Sequence, residues 1–409
     1  MQDDPELRDG LRCDLHSLRA RDTELDALCA EIQQVASARA AANFSKTSEI
    51  SALRQLVEEK PILITGSAGY LGAALHLTLK QLDFAVVGID LTPAPTVDAI
   101  ADVADLQAIS RYGRLCGAVL HTAALHAPHA SAWHAREFAA TNITGTNHIL
   151  SLGLPTVHTS TTSLTITKRV MEREKSGELV WLDEHAQTGP ELESSTYDPS
   201  LDAPRNKYGR TKLAGEQRCL ASAKAGGEVC VLRTPRFFAE DVLEEGVTLS
   251  LPNIKANELL GRRCALVDLL DAELRALARI RQPSVRGSVL TIAAPWPLER
   301  APLISSRDAA ALIRTHYPQA DDLFAQHGFR LPDEVSRVYD CEAACKALDW
   351  QPRVTFEALL RTMEQHQADV TVREGLGGRR EQPKKRARED HEQDSPALLP
   401  FEALLRGAF

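Results

Sequence analysis

The stretch Pro61–Gly72, which reads P-I-L-I-T-G-S-A-G-Y-L-G, carries the strongest structural signal in the chain. Ile62–Thr65 has the apolar, partly β-branched composition of a buried strand. Gly66, Gly69 and Gly72 then follow three residues apart, and a helical pattern begins. In this order the glycines permit a tight turn, close approach of the backbone to a pyrophosphate, and close packing of helix on strand. Because a helix N-terminus also attracts phosphate, the stretch predicts a dinucleotide-binding turn.

A second strand pattern, Phe84–Ile89, ends in Asp90, which lies 24 residues after Gly66. A carboxylate about 20 residues after the first glycine typically accepts a hydrogen bond from a ribose 2′-OH. Such a carboxylate repels a 2′-phosphate, so the sequence predicts NAD rather than NADP as the cofactor.

Composition excludes several classes of protein. The chain has 409 residues, a net charge of −9, 44% hydrophobic and 25% charged residues, which is typical of a globular protein without a nucleic-acid partner. It contains no apolar run of the roughly 18 residues that a membrane span needs, and its acidic start lacks the apolar core of a signal peptide. We therefore expect a cytoplasmic protein whose eight cysteines, without a C-x-x-C pair, are reduced thiols.

Strand patterns alternate with helical patterns through the middle of the chain. After Ile62–Thr65, the predicted strands are Ala85–Ile89, Ala118–His121, Thr156–Thr159 and Val229–Arg233. This alternation predicts an α/β fold with a doubly wound parallel sheet of the Rossmann type. Ligands of such sheets bind beyond the carboxyl ends of the strands.

Composition also divides the chain into segments. We expect a helical or disordered extension at 1–58, outside the main core, and an NAD-binding domain at 59–234. A charged, proline-containing insertion at 168–204 is expected near the site. Residues 235–370 are predicted to form a smaller substrate-binding lobe with returning elements, and 371–409 a disordered tail.

Two features of the C-terminal region have more than one interpretation. The basic run 383–388 could direct nuclear import, but a solvated charged tail is favoured. The hexamer F-E-A-L-L-R occurs at 356–361 and again at 401–406, and this identity has no physical explanation.

The second informative stretch is 206–212, N-K-Y-G-R-T-K. On a helix Tyr208 and Lys212, four residues apart, share one face. A neighbouring ammonium favours the phenolate, so we expect a lowered Tyr208 pKa and a general acid or base. A Tyr–Lys pair alone is common on helix surfaces, and its position after the glycine turn is what makes it informative.

Taken together, these motifs resemble those of an extended short-chain dehydrogenase/reductase of the NAD-dependent epimerase/dehydratase family, over roughly Pro61–Met363. L-H-T-A-A-L at 120–125, T-N-I-T-G-T-N at 141–147 and D-L-L-D-A at 268–272 resemble further landmarks of that family. The resemblance implies the following cofactor-binding residues: Gly66, Gly69, Tyr70, Leu71, Gly72, Asp90, Asp102, Val103, Thr122, Ala123, Ala124, Tyr208, Lys212 and Pro235.

The resemblance also implies the catalytic residues Thr161, Tyr208, Lys212 and Asn142. Aligning Thr165-Ile166 with the family's Tyr-Gly places Thr161 at its catalytic Ser/Thr position, where either hydroxyl serves. In the implied mechanism Tyr208 exchanges a proton with the substrate, Lys212 holds the ribose and lowers the Tyr208 pKa, and Asn142 supports the site. The missing Tyr-Gly predicts an altered wall of the substrate pocket.

The candidate substrate contacts are His126, Arg236 and Arg263. Arginines can hold a phosphorylated substrate, and solvated surface arginines are an equally good interpretation. A cluster of histidines contains no Asp, Glu or Cys, so we predict no metal. Asp268 is predicted to cap a helix.

The leading functional prediction is an NAD-dependent epimerase or dehydratase that acts on a nucleotide sugar. The alternatives are a reductase or dehydrogenase of a small carbonyl or alcohol, and a cofactor-sensing protein without turnover. The intact Tyr208, Lys212 and Thr161 disfavour that last alternative. The resemblance leaves a homodimer open.

Overall fold

The computed structural model describes residues 23–126, 133–185, 202–237, 249–300 and 304–375. Its strands are β1 (Ile62–Thr65), β2 (Val86–Asp90), β3 (Ala99–Ile100), β4 (Ala118–His121), β5 (Thr156–Thr161), β6 (Val180–Leu182), β7 (Val229–Thr234), β8 (Val289–Thr291) and β9 (Arg337–Tyr339). Seven of them form a sheet in the order β3-β2-β1-β4-β5-β7-β8, and every pairing in it is parallel. The strand order reverses between β1 and β4, so the predicted doubly wound α/β sheet is confirmed.

The helices are α1 (Thr23–Phe44), α2 (Glu49–Val57), α3 (Tyr70–Gln81), α4 (Leu106–Gly113), α5 (Ala135–Ala139), α6 (Thr146–Leu150), α7 (Lys168–Lys175), α8 (Lys207–Lys224), α9 (Leu251–Glu258), α10 (Leu266–Ala278), α11 (Ser306–His316), α12 (Ala320–Gln326), α13 (Glu342–Leu348) and α14 (Phe356–Gly375). A π-helical turn, Ala140–Gly145, joins α5 to α6. None of the helices in this described part of the chain combines the length and the apolar composition needed to cross a membrane.

Helices α8 and α10 cover opposite faces of the sheet. Cys219 of α8 packs with Val229 and Val231 of β7, whereas α10 shares a core with Cys230 and Leu232. Successive residues of a strand point to opposite faces, which separates the two groups. The sheet therefore carries α8, with Tyr208, on one side and α10 on the other.

Helices α1 and α2 belong to the main core, contrary to the expectation of a separate extension at 1–58. Ala40 and Phe44 of α1 are fully buried and join the same core as Ala74 of α3. The Ser37 hydroxyl donates to the Ala74 carbonyl at 2.9 Å. Small residues allow this close contact between helices, but they carry little periodic hydrophobicity, so the sequence pattern does not identify this segment as part of the core. Residues 1–22 lie outside the described part of the chain.

A second core forms the smaller lobe. It unites Leu179, beside β6, with residues of α9, α11, α12 and α14, and β6 pairs with β9. The part of the expected insertion at 168–185 forms α7 and β6, while 186–201 lie outside the described residues. Val170, Val180 and Leu182 of this part join the main core, and Leu179 and Trp181 pack in the second core. Within 235–370, α10 and β8 return to the main sheet. The first F-E-A-L-L-R hexamer begins α14; its second copy and the basic run 383–388 lie outside the described residues.

Asp268 connects two parts of the chain instead of capping its own helix, which corrects the prediction from the sequence. Its carboxylate accepts hydrogen bonds from the backbone N–H groups of Arg353 and Val354, both at 2.9 Å. The Trp350 indole donates to the Asp268 carbonyl at 3.0 Å. Burial raises the pKa of Asp268 to about 6, so this link depends on a carboxyl group held away from water.

The packing of α1 predicts that it contributes to stability. Phe44→Ala removes a fully buried ring and should lower the free energy of unfolding by about 3–5 kcal/mol, measured by urea unfolding. Lys46→Ala, at an exposed position two residues on, is the control and should change it by less than about 0.5 kcal/mol. Equal stability of the two variants would show that α1 is not part of the core.

Candidate active site

The glycine turn after β1 requires glycine for two measurable reasons. Gly66 has a φ of 74°, and a Cβ on it would lie 2.8 Å from backbone atoms of Ala123. A Cβ on Gly72 would lie 2.1 Å from the Gly66 carbonyl oxygen. The turn thus brings the end of β1, the first turn of α3 and the segment after β4 into direct contact.

The N-terminus of α3 is open to an anion. Gly69 is the N-cap residue, and no side chain caps the helix, so the N–H groups of its first turn lack the usual side-chain acceptor. Tyr70 and Leu71 follow in that turn. Backbone N–H groups at a glycine-lined helix start fit a pyrophosphate, so these residues fit NAD.

Asp90, at the end of β2, faces the glycine turn. Its two carboxylate oxygens accept hydrogen bonds from the backbone N–H groups of Ala68, at 3.1 Å, and Thr92, at 2.9 Å. Each oxygen keeps lone pairs for a further donor, as the predicted ribose contact requires. Asp102 accepts from Ala104 N at 2.8 Å, and the buried Val103 follows it.

The segment after β4 is tied to β1 through side chains. Thr122 donates to the Thr65 carbonyl at 2.8 Å, and Ala123 N donates to the Thr65 hydroxyl at 3.2 Å. The Thr65 hydroxyl lies 2.7 Å from His121 Nδ1. These contacts hold Ala123 and the following Ala124 at the carboxyl edge of the sheet.

His121 belongs to a buried network, and its partners define its tautomer. Its Nε2 lies 3.1 Å from the Thr146 hydroxyl, which itself donates to the Asn142 carbonyl. The imidazole Nε2 therefore carries the proton, and Nδ1 accepts from Thr65. Burial lowers the pKa of His121 to about 3, so the ring is neutral at pH 7.

Asn142 lies in the π-helical turn and connects three elements. Its side chain accepts from Leu125 N and donates to Leu125 O, both at 2.9 Å. It also donates to the Thr211 hydroxyl of α8 at 3.0 Å. A Cβ on Gly215 would lie 2.9 Å from the Asn142 carbonyl oxygen, so glycine lets α8 approach this turn. Asn142 thus couples α8 to the segment after β4.

The structure brings Tyr208 and Thr161 together. Tyr208 lies in the first turn of α8 and Thr161 ends β5. The Thr161 hydroxyl lies near enough to the Tyr208 phenol to favour its ionised form. Because β5, β4 and β1 are neighbours in a parallel sheet, this pair lies at the same edge as the glycine turn. A phenol and a hydroxyl therefore lie at the edge of the sheet where the glycine turn also lies.

The expected effect of Lys212 on Tyr208 is not observed. Burial raises the pKa of Tyr208 to about 12, and the nearby Thr161 hydroxyl opposes that rise. The Lys212 ammonium instead donates to the Thr159 carbonyl at 2.7 Å and lies 3.2 Å from His158 Nε2. The two side chains share a helix face, as predicted, but the long lysine chain turns its charge onto β5.

A buried ion pair anchors α8 to β7, and the sequence did not predict it. Glu216 lies four residues after Lys212 and binds the Arg233 guanidinium in a bidentate arrangement, with a closest distance of 2.8 Å. Asn206 caps the start of α8 by accepting from Gly209 N at 2.9 Å. The sequence shows a glutamate on α8 and an arginine on β7, but only the folded structure shows that they pair.

The three candidate substrate residues differ in accessibility. Arg263 is fully buried and pairs with Glu258 at 3.1 Å, so it is not open to a substrate, and the structure corrects that prediction. Arg236 pairs with the same carboxylate at 2.9 Å, but its side chain remains 49% exposed. His126 is half-buried and ends a described segment. The predicted cofactor residue Pro235 directly follows β7 and is buried.

Metal binding has no support among the described residues. No group of three or more His, Cys, Asp or Glu side chains in them could hold a metal ion. His129, part of the histidine cluster in the sequence, lies outside the described residues.

Comparison with known proteins gives one family match. The sequence model of the NAD-dependent epimerase/dehydratase family matches residues 62–273. A comparison with curated proteins gives no match.

Solved structures to which this chain is similar include those of the following three proteins. A short-chain dehydrogenase/reductase superfamily protein from Agrobacterium tumefaciens with bound NAD is 20% identical, covers 77% of this chain and 99% of its own, and has a TM-score of 0.49. A UDP-glucose-4-epimerase from Stenotrophomonas maltophila with bound NAD and formylated UDP-arabinopyranose is 19% identical, with coverage of 77% and 99% and a TM-score of 0.48. A dTDP-glucose 4,6-dehydratase from Streptomyces venezuelae is 18% identical, with coverage of 77% and 99% and a TM-score of 0.45.

The position of Asp90 predicts cofactor choice. Asp90→Ala removes the proposed ribose acceptor and should weaken NAD binding by roughly 10- to 100-fold, the usual value of a hydrogen bond to a charged group. NADP binding should weaken less or improve, because the repulsion of a 2′-phosphate is lost. Isothermal titration calorimetry with both dinucleotides measures this change.

Asp90→Asn is the matched control for the loop. It keeps an oxygen that can accept from Ala68 N or Thr92 N but removes the charge. The preference should therefore shift toward NADP in this variant as well. Tighter binding of NADP than of NAD by the unmutated protein would contradict the assignment.

Proposed function

Because the chain belongs to the NAD-dependent epimerase/dehydratase family, we propose that it is an epimerase or dehydratase that acts on a nucleotide sugar. The observation that carries this proposal is that Tyr208 and Thr161 lie at the edge of the sheet that also carries the glycine turn. A phenol next to a second hydroxyl, at the edge where the nicotinamide is expected, suits proton exchange at a carbinol or carbonyl oxygen.

Bound NAD supplies the hydride acceptor and donor. Tyr208 gives its proton to a substrate carbonyl oxygen, or takes one from a hydroxyl. Thr161 holds the phenol and the substrate oxygen in place. Because burial raises the pKa of Tyr208 to about 12, the phenol of the free protein is in its acid form, and action as a base requires positive charge nearby.

Lys212 is the residue we propose for that charge and for holding the ribose. Both roles require its ammonium to turn away from the Thr159 carbonyl, its partner in the free protein, toward Tyr208. It lies one helical turn after Tyr208 on the same face of α8. Asn142 keeps this helix aligned through Thr211. A catalytic group held in this way loses little entropy when the substrate arrives.

The nucleotide-sugar assignment is supported by Y-G-R-T-K-L-A-G-E at 208–216, which resembles the catalytic helix of nucleotide-sugar epimerases and reductases. Arg236, half-exposed after β7, is available at that edge for a diphosphate. The pocket wall differs from the family pattern, because Thr165 replaces the usual tyrosine and donates to the Thr162 carbonyl at 2.7 Å.

This replacement favours a second candidate, a reductase or dehydrogenase of a smaller carbonyl or alcohol. A pocket without the aromatic hydroxyl has one fewer group for a sugar ring. The same Tyr208 and Thr161 would serve that reaction. Cytoplasmic location and a homodimer stay predictions from the sequence.

One experiment separates the two candidates. The full chain is incubated with UDP-glucose, UDP-galactose or dTDP-glucose without added NAD, and products are followed by proton NMR. An epimer or a 4-keto-6-deoxy sugar is the expected result. If turnover of these sugars is absent, but a carbonyl compound is reduced at the expense of added NADH, the second candidate is correct.

Removal of one phenolic hydroxyl tests the proposed proton donor. Tyr208→Phe keeps the ring and deletes the transferable proton, so turnover should fall about 10²-fold or more. Cofactor affinity should change little, because Lys212 and the glycine turn are retained. Tyr112→Phe, on α4, is the matched control and should keep full turnover. Wild-type turnover by Tyr208→Phe would place the proton donor elsewhere.

A further inference from the structure

The ammonium of Lys212 occupies a costly environment. The side chain is only 2% exposed, and its hydrogen-bond partners are the Thr159 carbonyl and His158 Nε2. Burial lowers the pKa of Lys212 to about 8, and burial also holds the pKa of His158 well below its usual value. The partners of the ammonium are therefore neutral, and a buried charge of this kind needs a compensating anion.

Two carboxylates, those of Glu216 and Glu273, oppose the lowering of the Lys212 pKa that burial causes. Glu216 is already neutralised by the bidentate Arg233 guanidinium, which lies 2.8 Å away. Glu273 is fully buried, and within the described residues it forms no ion pair. Its Oε1 accepts a hydrogen bond from the Thr159 hydroxyl at 2.6 Å, and among the described residues its Oε2 has no hydrogen-bond partner.

Thr159 joins the two groups through the sheet. Its carbonyl accepts from Lys212 on the α8 side, and its hydroxyl donates to Glu273 on the α10 side. A hydroxyl donor favours the ionised carboxylate, and so does the nearby ammonium. One strand residue thus lies between a cation and an anion that are each shielded from water.

We infer that Glu273 is a positioning residue, which supplies through Thr159 the negative charge that holds Lys212 as an ammonium against β5. The inference rests on the proposed function, in which Lys212 serves the cofactor ribose and the phenol of Tyr208. Glu273 touches neither cofactor nor substrate and acts only through Lys212.

The titration of the pair supports this geometry. Burial raises the pKa of Glu273 to about 7, while Lys212 opposes the rise. Burial lowers the pKa of Lys212 to about 8, so the charges of both groups depend on pH near neutrality. At higher pH Lys212 loses its proton, and at lower pH Glu273 becomes neutral.

Other titratable groups around this pair keep one charge state near neutral pH. Burial keeps His121 and His158 neutral by lowering their pKa values. It raises the pKa of the Cys219 and Cys230 thiols to about 12, so both stay protonated. The charged residues elsewhere on and around α10 pair with one another: Glu49, Asp271 and Arg275.

Glu273→Gln tests the inference without cofactor or substrate. Glutamine keeps the volume and an oxygen that accepts from Thr159, but it carries no charge. The protein is labelled with ¹³C-lysine, and the ε-carbon signal of Lys212, identified by its loss in Lys212→Arg, is titrated from pH 6 to pH 10. Removal of the carboxylate should lower the proton affinity of Lys212 roughly tenfold or more. Glu228→Gln, which changes the half-buried partner of the exposed Arg281, should leave it unchanged.

Thr159→Val gives a second test that keeps the carboxyl group. It deletes the hydroxyl donor, makes ionisation of Glu273 harder, and should shift Lys212 in the same direction by a smaller amount. Glu273→Asp, which restores a carboxylate, should return the titration toward that of the wild type. An unchanged Lys212 titration in either folded variant, Glu273→Gln or Thr159→Val, overturns the inference.

The consequence for the site is measured separately, by the pH dependence of NAD binding. Glu273→Gln should bind NAD roughly tenfold or more weakly at pH 8.5 and less than about threefold more weakly at pH 6.5, since the lysine is largely protonated there in both proteins. The NMR titration needs no reaction, so it tests Glu273 independently of the proposed function. If the titration shifts but nucleotide sugars are not turned over, the proposed function is wrong and the role of Glu273 toward Lys212 stands. Equal NAD affinities of the two proteins at pH 8.5 would overturn the role of Glu273 in the site.

Discussion

The close approach of backbone to backbone at Gly66 is the constraint on which the rest of the site depends. With a Cβ there, the chain would meet Ala123, 2.8 Å away, and a Cβ on Gly72 would lie 2.1 Å from the Gly66 carbonyl. Glycine at both positions, 66 and 72, is therefore needed to bring β1, α3 and the segment after β4 together. That convergence places the helix start, Asp90 and the segment after β4 around one space at the switch point of the sheet.

Buried charge then determines how α8 sits against this space. The pair of Glu216 and Arg233 connects α8 to β7, and breaking such a pair would leave an uncompensated charge in the interior. Lys212 and Glu273 form a looser arrangement with Thr159 between them. Helix α10, which carries Glu273 toward the sheet, also contacts α1, so the N-terminal helix supports the element behind the site. This explains why a segment that appeared peripheral in the sequence contributes to the core.

Local patterns predicted the parts of the structure that local geometry determines. The glycine turn, the strands β1, β2, β4, β5 and β7, and the helix that carries Tyr208 are encoded in short stretches, because turn conformation and hydrophobic period are local properties. The two-residue strand β3 is too short to show a period. The direction of Lys212, the burial of Arg263 and the partner of Glu273 depend on contacts between distant residues, and no spacing in the sequence reveals them. The prediction that 1–58 lie outside the core is wrong for the alanine-rich α1, because a close helix contact needs small residues and no strong apolar stripe.

We propose that the chain holds NAD at the glycine turn and uses it within one catalytic cycle. Mass spectrometry identifies the nucleotide that the freshly purified full chain releases on denaturation. We expect NAD, oxidised or reduced, in stoichiometric amount. NADP in its place, or no nucleotide together with failure to bind added NAD, would contradict it.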